Sequence, residues 1–314
     1  AMRRASKRSS FASLEGLLTS EQGFGLKTAT PVQRAIMRAS EGVPLGALWD
    51  DANVQQAFGG TEPTVRPRWL CILAAIRCAK SMIAAGKAIM CTQTCDLSAT
   101  SVGDEIRIPM LSTDKDAAHA VFSHLIGQID ARPQLRKLLA TDKNGKPREP
   151  TADSVFLRHP SGREIEIKVT ALARAGSTLV GRWLAGVIFD EAPRMVGEED
   201  GVKNLDEALN ASQGRLLPGA QGMLIGSQWA PFGPVYDLVK QHFGKPSDAM
   251  CVVRAPGPIM NPYYWTPERC EQMRTDGSLA QYQLIEIDIS KMSLDVAKPL
   301  GLSQKEALRC KNMW

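Results

Sequence analysis

A strand–loop–helix pattern in the first third of the chain is the feature that most constrains the fold. A short apolar run over residues 68–74 is followed by a seven-residue segment (75–81) and then by a helical pattern over 82–90. This layout follows the P-loop pattern G-x-x-x-x-G-K-[ST], with Ala74 and Ala79 at the two glycine positions. The pattern predicts a buried strand that leads through a tight loop into a helix.

The residues at the start of that helix suit phosphate chemistry. Backbone N–H groups and the helix N-terminus attract anions, Lys80 supplies a point charge, and the Ser81 hydroxyl can reach Mg²⁺. Alanine tolerates a positive φ poorly, so the substituted loop carries a backbone cost. A Lys-Ser pair at a helix start is also common on solvated surfaces, so a second feature has to decide.

A second feature follows about a hundred residues later. Gly186–Phe189 reads as a buried strand, and the adjacent carboxylates Asp190 and Glu191 stand at its end. The first acid can hold the water shell of Mg²⁺, and the second can orient or deprotonate an attacking water. Acids also end strands simply because chains turn there. A phosphate-binding loop followed by an acid-ended strand favours a nucleotide site.

Taken together, these motifs resemble the ATPase part of the large terminase subunit of tailed bacteriophages, the motor that pumps DNA into a procapsid. The resemblance runs from about residue 69 to about residue 287. That family often replaces P-loop glycines and often carries an arginine in the loop, as Arg77 does here. Three further segments resemble family segments in the same order: Arg174–Arg182, Met223–Gln228 and Arg254–Pro262.

The resemblance implies an Mg²⁺-dependent ATPase with a defined set of residues. Glu191 positions the water, Ser81 and Asp190 hold the metal, and Ser227 with Gln228 couples hydrolysis to motion. The ATP-binding residues on the loop and helix start are Ala75, Ile76, Arg77, Cys78, Ala79, Lys80, Ser81 and Met82.

Such motors also need a cation at the transferred phosphoryl group, often from a neighbouring subunit. Arg182 is the first candidate and Arg174 the second, although the family places this arginine before a glycine and the chain has Val180-Gly181. Arg77 could instead act within the same chain.

An adenine contact is expected upstream of the loop. The segment 23–33 resembles the adenine-reading segment of helicase-like ATPases, in which a glutamine amide bonds the base, so Gln33 is assigned to ATP. Thr30-Pro31 also fits a helix start, with Thr30 as N-cap and Pro31 as the first helical residue. Both interpretations stay open.

Alternating strand and helix patterns predict an α/β fold with a mainly parallel sheet covered by helices on both faces. With the motifs above, we expect a RecA-like P-loop NTPase fold. The predicted divisions are an N-terminal basic tail and helical, adenine-side segment (1–60), the ATPase core (61–256) and a C-terminal helical linker subdomain (257–314). Turn formers over 42–68 predict a connector. Two segments flank residues 159–162, and alternation in the second of them, Arg163–Val169, predicts a β-hairpin.

Composition limits the partners. The net charge of +5 permits contact with a polyanion, and seven cysteines without metal-site spacing indicate reduced thiols. No apolar run approaches the ~20 residues that span a bilayer, and no secretory leader is evident, so we expect a cytoplasmic protein without membrane contact. The resemblance implies sequence-independent binding of double-stranded DNA. It also implies a portal or procapsid partner with a small terminase subunit, and a homo-oligomeric ring at the portal vertex that can be monomeric alone.

Nuclease activity is not expected in this chain. Large terminases carry a metal-dependent nuclease domain after the ATPase part, and about fifty residues follow Pro262 here. Asp288 and Asp295 cannot assemble an acidic cluster on their own.

Two alternative functions remain. The adenine-side Gln33 and the Asp190-Glu191-Ala192 sequence suggest a superfamily-two helicase, but the roughly 120 residues that follow are too few for its second RecA-like domain. The alanines in the loop suggest a non-catalytic module that binds DNA or capsid through a degenerate P-loop.

Overall fold

The computed structural model describes residues 11–172, 179, 181–196, 205–228 and 231–276. Within these ranges seven strands form one sheet in the order β3-β4-β2-β5-β6-β1-β7. The strands are β1 (Trp69–Ala74), β2 (Ile106–Ser112), β3 (Ser154–Arg158), β4 (Glu164–Ala171), β5 (Trp183–Asp190), β6 (Leu216–Gly226) and β7 (Met250–Ala255).

Helices alternate with these strands along the described chain. They are α1 (Leu14–Thr19), α2 (Pro31–Ala39), α3 (Ala52–Ala57), α4 (Lys80–Thr94), α5 (Lys115–Ala131), α6 (Pro133–Arg136), α7 (Leu205–Gln213), α8 (Pro234–His242), α9 (Gly257–Met260) and α10 (Pro267–Thr275). Two short 3-10 helices cover Gly46–Asp50 and Ala192–Arg194.

The sheet is covered on both faces. Every residue of β1 and β2 is buried, and successive side chains of a strand point to opposite faces. Burial of consecutive residues therefore requires packing on each side, which is the pattern of parallel sheets between helices. Among the strands in the described ranges, only the β3–β4 pair is antiparallel. The predicted α/β class with a mainly parallel sheet is confirmed, and the arrangement is consistent with a RecA-like P-loop fold.

The predicted β-hairpin is present, with Ser154 opposite Lys168 in β3 and β4. The prediction of a plain connector over 42–68 is wrong, because a 3-10 helix and α3 form there. The Asp51 side chain caps α3 by accepting a hydrogen bond from the Asn53 N–H at 2.8 Å. The helix then buries Val54 and Ala57. Two apolar residues among many turn formers are too few to show a helical pattern in the sequence.

Helix α4 is longer than predicted. It begins at Lys80 instead of Met82 and continues to Thr94, with an almost continuous buried stretch from Ile83 to Thr92. Helix α1 packs closely on it, since a Cβ atom at Gly86 would lie 2.7 Å from Leu18 Cδ2. The helix that leads away from the candidate phosphate loop is therefore enclosed by the fold, and its N-terminus is held in a fixed place.

A second close approach sets the spacing of β1 and β6. Gly222 stands opposite Trp69 in the parallel register, and a Cβ atom at Gly222 would lie 2.1 Å from the Trp69 ring. The indole also packs against Phe189 of β5, with ring centroids 6.3 Å apart. The large ring thus uses the space that the glycine leaves and spans three adjacent strands.

Contacts divide the chain into two compact units, residues 1–261 and 262–314. The boundaries predicted at residues 60 and 256 stay predictions. In the second unit the described residues include α10, which Thr266 caps by accepting from the Arg269 N–H at 3.3 Å. Within the described ranges, no helix is both long and apolar enough to cross a membrane.

Candidate nucleotide-binding site

Three segments leave the sheet at the carboxyl ends of its strands, referred to below as one edge of the sheet. Strands β5, β6 and β1 are adjacent and parallel, so their carboxyl ends lie together. In the register Leu73 pairs with Gly226, and Asp190 pairs with Ile225. The loop after β1, the acid pair after β5 and Ser227 after β6 therefore emerge side by side.

The loop over residues 75–79 has an unusual backbone. Arg77 and Ala79 have φ values of 60° and 61°, whereas Ile76 and Cys78 are not in the left-handed region. Each such non-glycine residue costs about 1–2 kcal/mol. Left-handed residues within a turn can bring successive N–H groups together into an anion-binding concavity. The two left-handed residues therefore suit this loop to a phosphate, although Ala79 stands where glycine would be unstrained.

The two alanines of the motif differ. Ala79 is left-handed and directly precedes α4, whereas Ala74 is the last residue of β1, is buried, and lies outside the left-handed region. The backbone cost expected for the substituted motif thus applies at only one of its two glycine positions. The second strained residue is Arg77, which the motif leaves variable.

Lys80 is a buried cation with neutral partners. Only 7% of the Lys80 surface is exposed to solvent. Its Nζ donates hydrogen bonds to the carbonyls of Ala74 and Ala75, both at 2.8 Å, and to Ser227 Oγ at 3.4 Å. None of the ion pairs among the described residues includes Lys80. Burial lowers the pKa of Lys80, and the charges of Glu191 and Asp190 oppose that effect. An ammonium group held this way fits an incoming anion such as a phosphate.

The acid pair is at the same edge. Asp190 is only 6% exposed, and burial, followed by the charge of Glu191, raises the pKa of Asp190 to about 6. The carboxylate accepts a hydrogen bond from the Glu191 N–H at 3.0 Å. Ser112 of β2 donates to the Asp190 carbonyl at 3.0 Å, which fixes the end of β5 against its neighbour.

Glu191 leaves the line of the strand. Its φ of 52° is left-handed, and its side chain stays one-third exposed, with Oε2 3.6 Å from Arg194 Nε. The turn separates the two carboxylates of the pair: Asp190 stays buried in the sheet edge, and Glu191 reaches toward solvent. Two adjacent acids in such different surroundings can take different roles.

The residues present fit a magnesium ion. Mg²⁺ is usually held by one or two carboxylates or hydroxyls together with waters and substrate phosphates. Asp190 and the half-buried Ser81 offer such oxygen ligands. Within the described ranges, no group of three or more His, Cys, Asp or Glu side chains could hold a metal.

Gln33 lies at the N-terminus of α2 and is 3% exposed. Its Oε1 accepts from the Thr30 N–H at 3.1 Å, and Thr30 Oγ1 accepts from the Gln33 N–H at 3.3 Å. The predicted helix start, with Thr30 as N-cap and Pro31 following, is confirmed. The carbonyl oxygen of the amide thus caps the helix, and the adenine contact stays a prediction.

The predicted arginines lie in different places. Arg77 is exposed in the loop. Arg182 precedes β5, at the opposite end of that strand from Asp190, and its Nε is 2.7 Å from Glu105 Oε2. About 25 Å of extended chain separates Arg182 from the acid pair, so it does not reach the site of its own chain and its role from a neighbouring subunit stays a prediction. Arg174 lies outside the described residues.

Two polar side chains of the segment 254–262 contact the site and were missed. Arg254, near the end of β7, donates from Nη2 to Gln228 Oε1 at 3.0 Å. Asn261 donates from Nδ2 to the Arg77 carbonyl at 2.5 Å. The sequence resemblance included this segment, but its contacts depend on β7 pairing with β1, which no local pattern reveals.

No family model matches this chain, and no curated protein sequence is similar to it. Solved structures with a similar fold include the large terminase ATPase domain of Thermus phage P74-26, with 12% identity over 72% of this chain and 92% of that one and a TM-score of 0.45. The large terminase of bacteriophage HK97 has 17% identity over 83% of this chain and 45% of that one, with a TM-score of 0.41.

A third similar structure is the large terminase of a thermophilic bacteriophage in complex with ADP. It has 13% identity over 80% of this chain and 50% of that one, with a TM-score of 0.47. The chain therefore spans about half the length of the two whole terminases. These three structures are large terminases or their ATPase domain, the family that the sequence motifs resemble.

The strain at Ala79 makes a testable prediction. Ala79→Gly should raise the free energy of unfolding by about 0.5–1 kcal/mol, because relief of the left-handed strain exceeds the added entropy of the unfolded chain. Ala74→Gly is the matched control and should lower it by about 1–2 kcal/mol, because a strand residue loses a buried methyl group. Urea unfolding of both variants measures this. Destabilisation of similar size in both would contradict the assigned strain.

Asp190 should make the ligand-free protein less stable as the pH rises. Its folded-state pKa of about 6 lies above the unfolded value of 3.8, so the folded state holds an extra proton between these values. The free energy of unfolding then falls through this window. Asp190→Asn should be more stable than wild type at pH 7.5 by on the order of 2 kcal/mol, with a difference that shrinks toward pH 4.5.

Asp153→Asn is the control of opposite sign. The hydrogen bond from Lys115 holds the pKa of Asp153 below its usual value, so this variant should be less stable than wild type at pH 7.5, with a difference that persists to about pH 4. Urea unfolding at several pH values compares the two. A pH-independent difference for Asp190→Asn would contradict the raised pKa.

Proposed function

We propose that this chain binds and hydrolyses Mg²⁺-ATP and uses the reaction to move double-stranded DNA into a viral procapsid. One observation carries the ATPase part: Lys80, which follows the loop with left-handed Arg77 and Ala79, and the Asp190–Glu191 pair lie at the carboxyl ends of adjacent parallel strands. The DNA-packaging part rests on the resemblance of the motifs to those of large terminases.

The triphosphate would lie along the loop 75–79. Its convergent N–H groups and the N-terminus of the 15-residue helix α4 supply partial positive charge. Lys80 Nζ exchanges the neutral carbonyls of Ala74 and Ala75 for charged phosphate oxygens. The buried ammonium group thereby gains an oppositely charged partner. Ser81 and Asp190 are the residues that would hold Mg²⁺, which when bound neutralises charge on the β- and γ-phosphates.

Glu191 is the residue assigned to the attacking water. Its carboxylate is partly exposed and turned out of the strand, so a water molecule can reach it. In the proposed reaction the water oxygen bonds to the γ-phosphorus while the bond to the bridging oxygen breaks, and ADP and inorganic phosphate leave. The proton of the water passes to a Glu191 carboxylate oxygen.

Ser227 and Gln228 are assigned to coupling. The Ser227 hydroxyl is 3.4 Å from Lys80 Nζ, so movement of the ammonium toward a phosphate breaks this contact. The Gln228 side chain accepts a hydrogen bond from Arg254 of strand β7. A change at the phosphate can therefore pass from Lys80 through the end of β6 to the edge of the sheet.

The proposal extends to the assembly. A ring of identical subunits at the portal vertex in the host cytoplasm would let Arg182 of one subunit act at the site of the next. The portal or procapsid and a small terminase subunit are the proposed protein partners. Binding of DNA would use backbone phosphates, without sequence preference.

Three substitutions test the ATPase. Glu191→Gln should lower turnover at least about 100-fold while ATP affinity stays within about threefold, because the amide cannot accept the proton of the water. Lys80→Met should lose both binding and turnover. Lys87→Met is the matched control, since this second buried lysine of α4 contacts Ser40 instead of the loop. Isothermal titration and phosphate release measure the two properties.

Unchanged turnover in Glu191→Gln would remove Glu191 from its assigned role. Absence of ATP binding by the wild-type protein in the presence of Mg²⁺ would favour the non-catalytic module with a degenerate loop.

DNA binding gives a second test of the proposal. Affinity for unrelated duplexes should be equal within about threefold and should fall on the order of 100-fold between about 50 and 200 mM salt, as for about four phosphate contacts. Fluorescence anisotropy with two duplexes of different sequence measures this. Strand displacement on a tailed duplex would favour the helicase, and a clear sequence preference would contradict backbone recognition.

A further inference from the structure

A side chain from a distant part of the sequence contacts the strained loop over residues 75–79. Arg77 is left-handed, and its carbonyl accepts a hydrogen bond from Asn261 Nδ2 at 2.5 Å, across 184 positions of the chain. A hydrogen bond to a fixed donor stabilises by about as much as one left-handed non-glycine residue costs. This bond is therefore large enough to offset the strain at Arg77.

Asn261 is itself firmly held. Its backbone N–H donates to the Gly257 carbonyl at 2.8 Å, and the preceding Met260 is fully buried. The Met260 carbonyl accepts from Thr30 Oγ1 at 3.2 Å. The asparagine amide is thus presented to the loop from a fixed support, which is also tied to the N-terminus of α2.

We propose that Asn261 is a positioning residue that holds the Arg77 peptide in its left-handed conformation and so keeps the loop shaped for phosphate before nucleotide arrives. The expected effect on nucleotide affinity rests on the proposed ATPase function, whereas the effect on the ligand-free loop does not. The two can therefore be measured separately.

The first measurement uses the ligand-free protein. Asn261→Ala should speed hydrogen–deuterium exchange of a peptide covering residues 75–79 about fivefold, because the loop loses the bond that favours its closed conformation. The second measurement is ATP affinity in the presence of Mg²⁺, which should fall by a similar factor. Asn144→Ala is the matched control, since this asparagine lies in the exposed turn at 142–145. It should change neither quantity.

Combining Asn261→Ala with each of two substitutions at Arg77 tests whether the Asn261–Arg77 hydrogen bond acts by offsetting backbone strain. Arg77→Ala removes the side chain and keeps the strain, whereas Arg77→Gly removes both, because glycine adopts positive φ freely. Asn261→Ala should still speed loop exchange about fivefold in the alanine background and less than about twofold in the glycine background. An equal effect in both backgrounds would show that the bond does not act by offsetting the strain at Arg77.

Unchanged loop exchange in Asn261→Ala would overturn the proposal, whatever the nucleotide affinity. Faster exchange in a protein that binds no ATP would support Asn261 as a positioning residue and would refute the proposed ATPase. A uniform increase in exchange over the whole first unit would show a general loss of stability and would also overturn the proposal.

Discussion

The parallel pairing of β1, β6 and β5 is the constraint on which the candidate site depends. Because all three strands run in one direction, the loop before Lys80, the hydroxyl of Ser227 and the Asp190–Glu191 pair emerge at one edge. The Gly222–Trp69 contact fixes how closely β6 and β1 approach. A change in register of one residue would turn Asp190 to the other face of the sheet, so packing in the core determines whether the charged groups meet.

The two buried charges of the candidate site lie in surroundings that disfavour them. Burial lowers the pKa of Lys80 and raises that of Asp190, so each charge is disfavoured by its surroundings. An Mg²⁺ ion with a triphosphate carries charges of the signs that these two groups need. Under the proposed function, folding keeps these unfavourable charges in place and nucleotide binding would relieve them, which is a common relation between stability and function.

Local pattern was sufficient for much of the fold and for the outline of the site. The apolar runs at β1 and β5, the Thr30-Pro31 helix start and the hairpin around residues 159–162 each follow from neighbouring residues. The contacts of Arg254 and Asn261 could not be predicted, since they depend on β7 lying beside β1. Helix α3 was hidden because its apolar contacts are few, and the strain at Arg77 was hidden because the motif leaves that position variable.

The absence of glycine at position 79 has a consequence for how the loop meets its ligand. A glycine-rich loop samples many backbone conformations, and ordering it on binding costs entropy. Alanine at 79 and arginine at 77 restrict the loop to fewer conformations, and the bond from Asn261 selects among them. If the chain binds nucleotide as proposed, it meets this ordering cost during folding, and the loop over residues 75–79 is preorganised before the nucleotide binds.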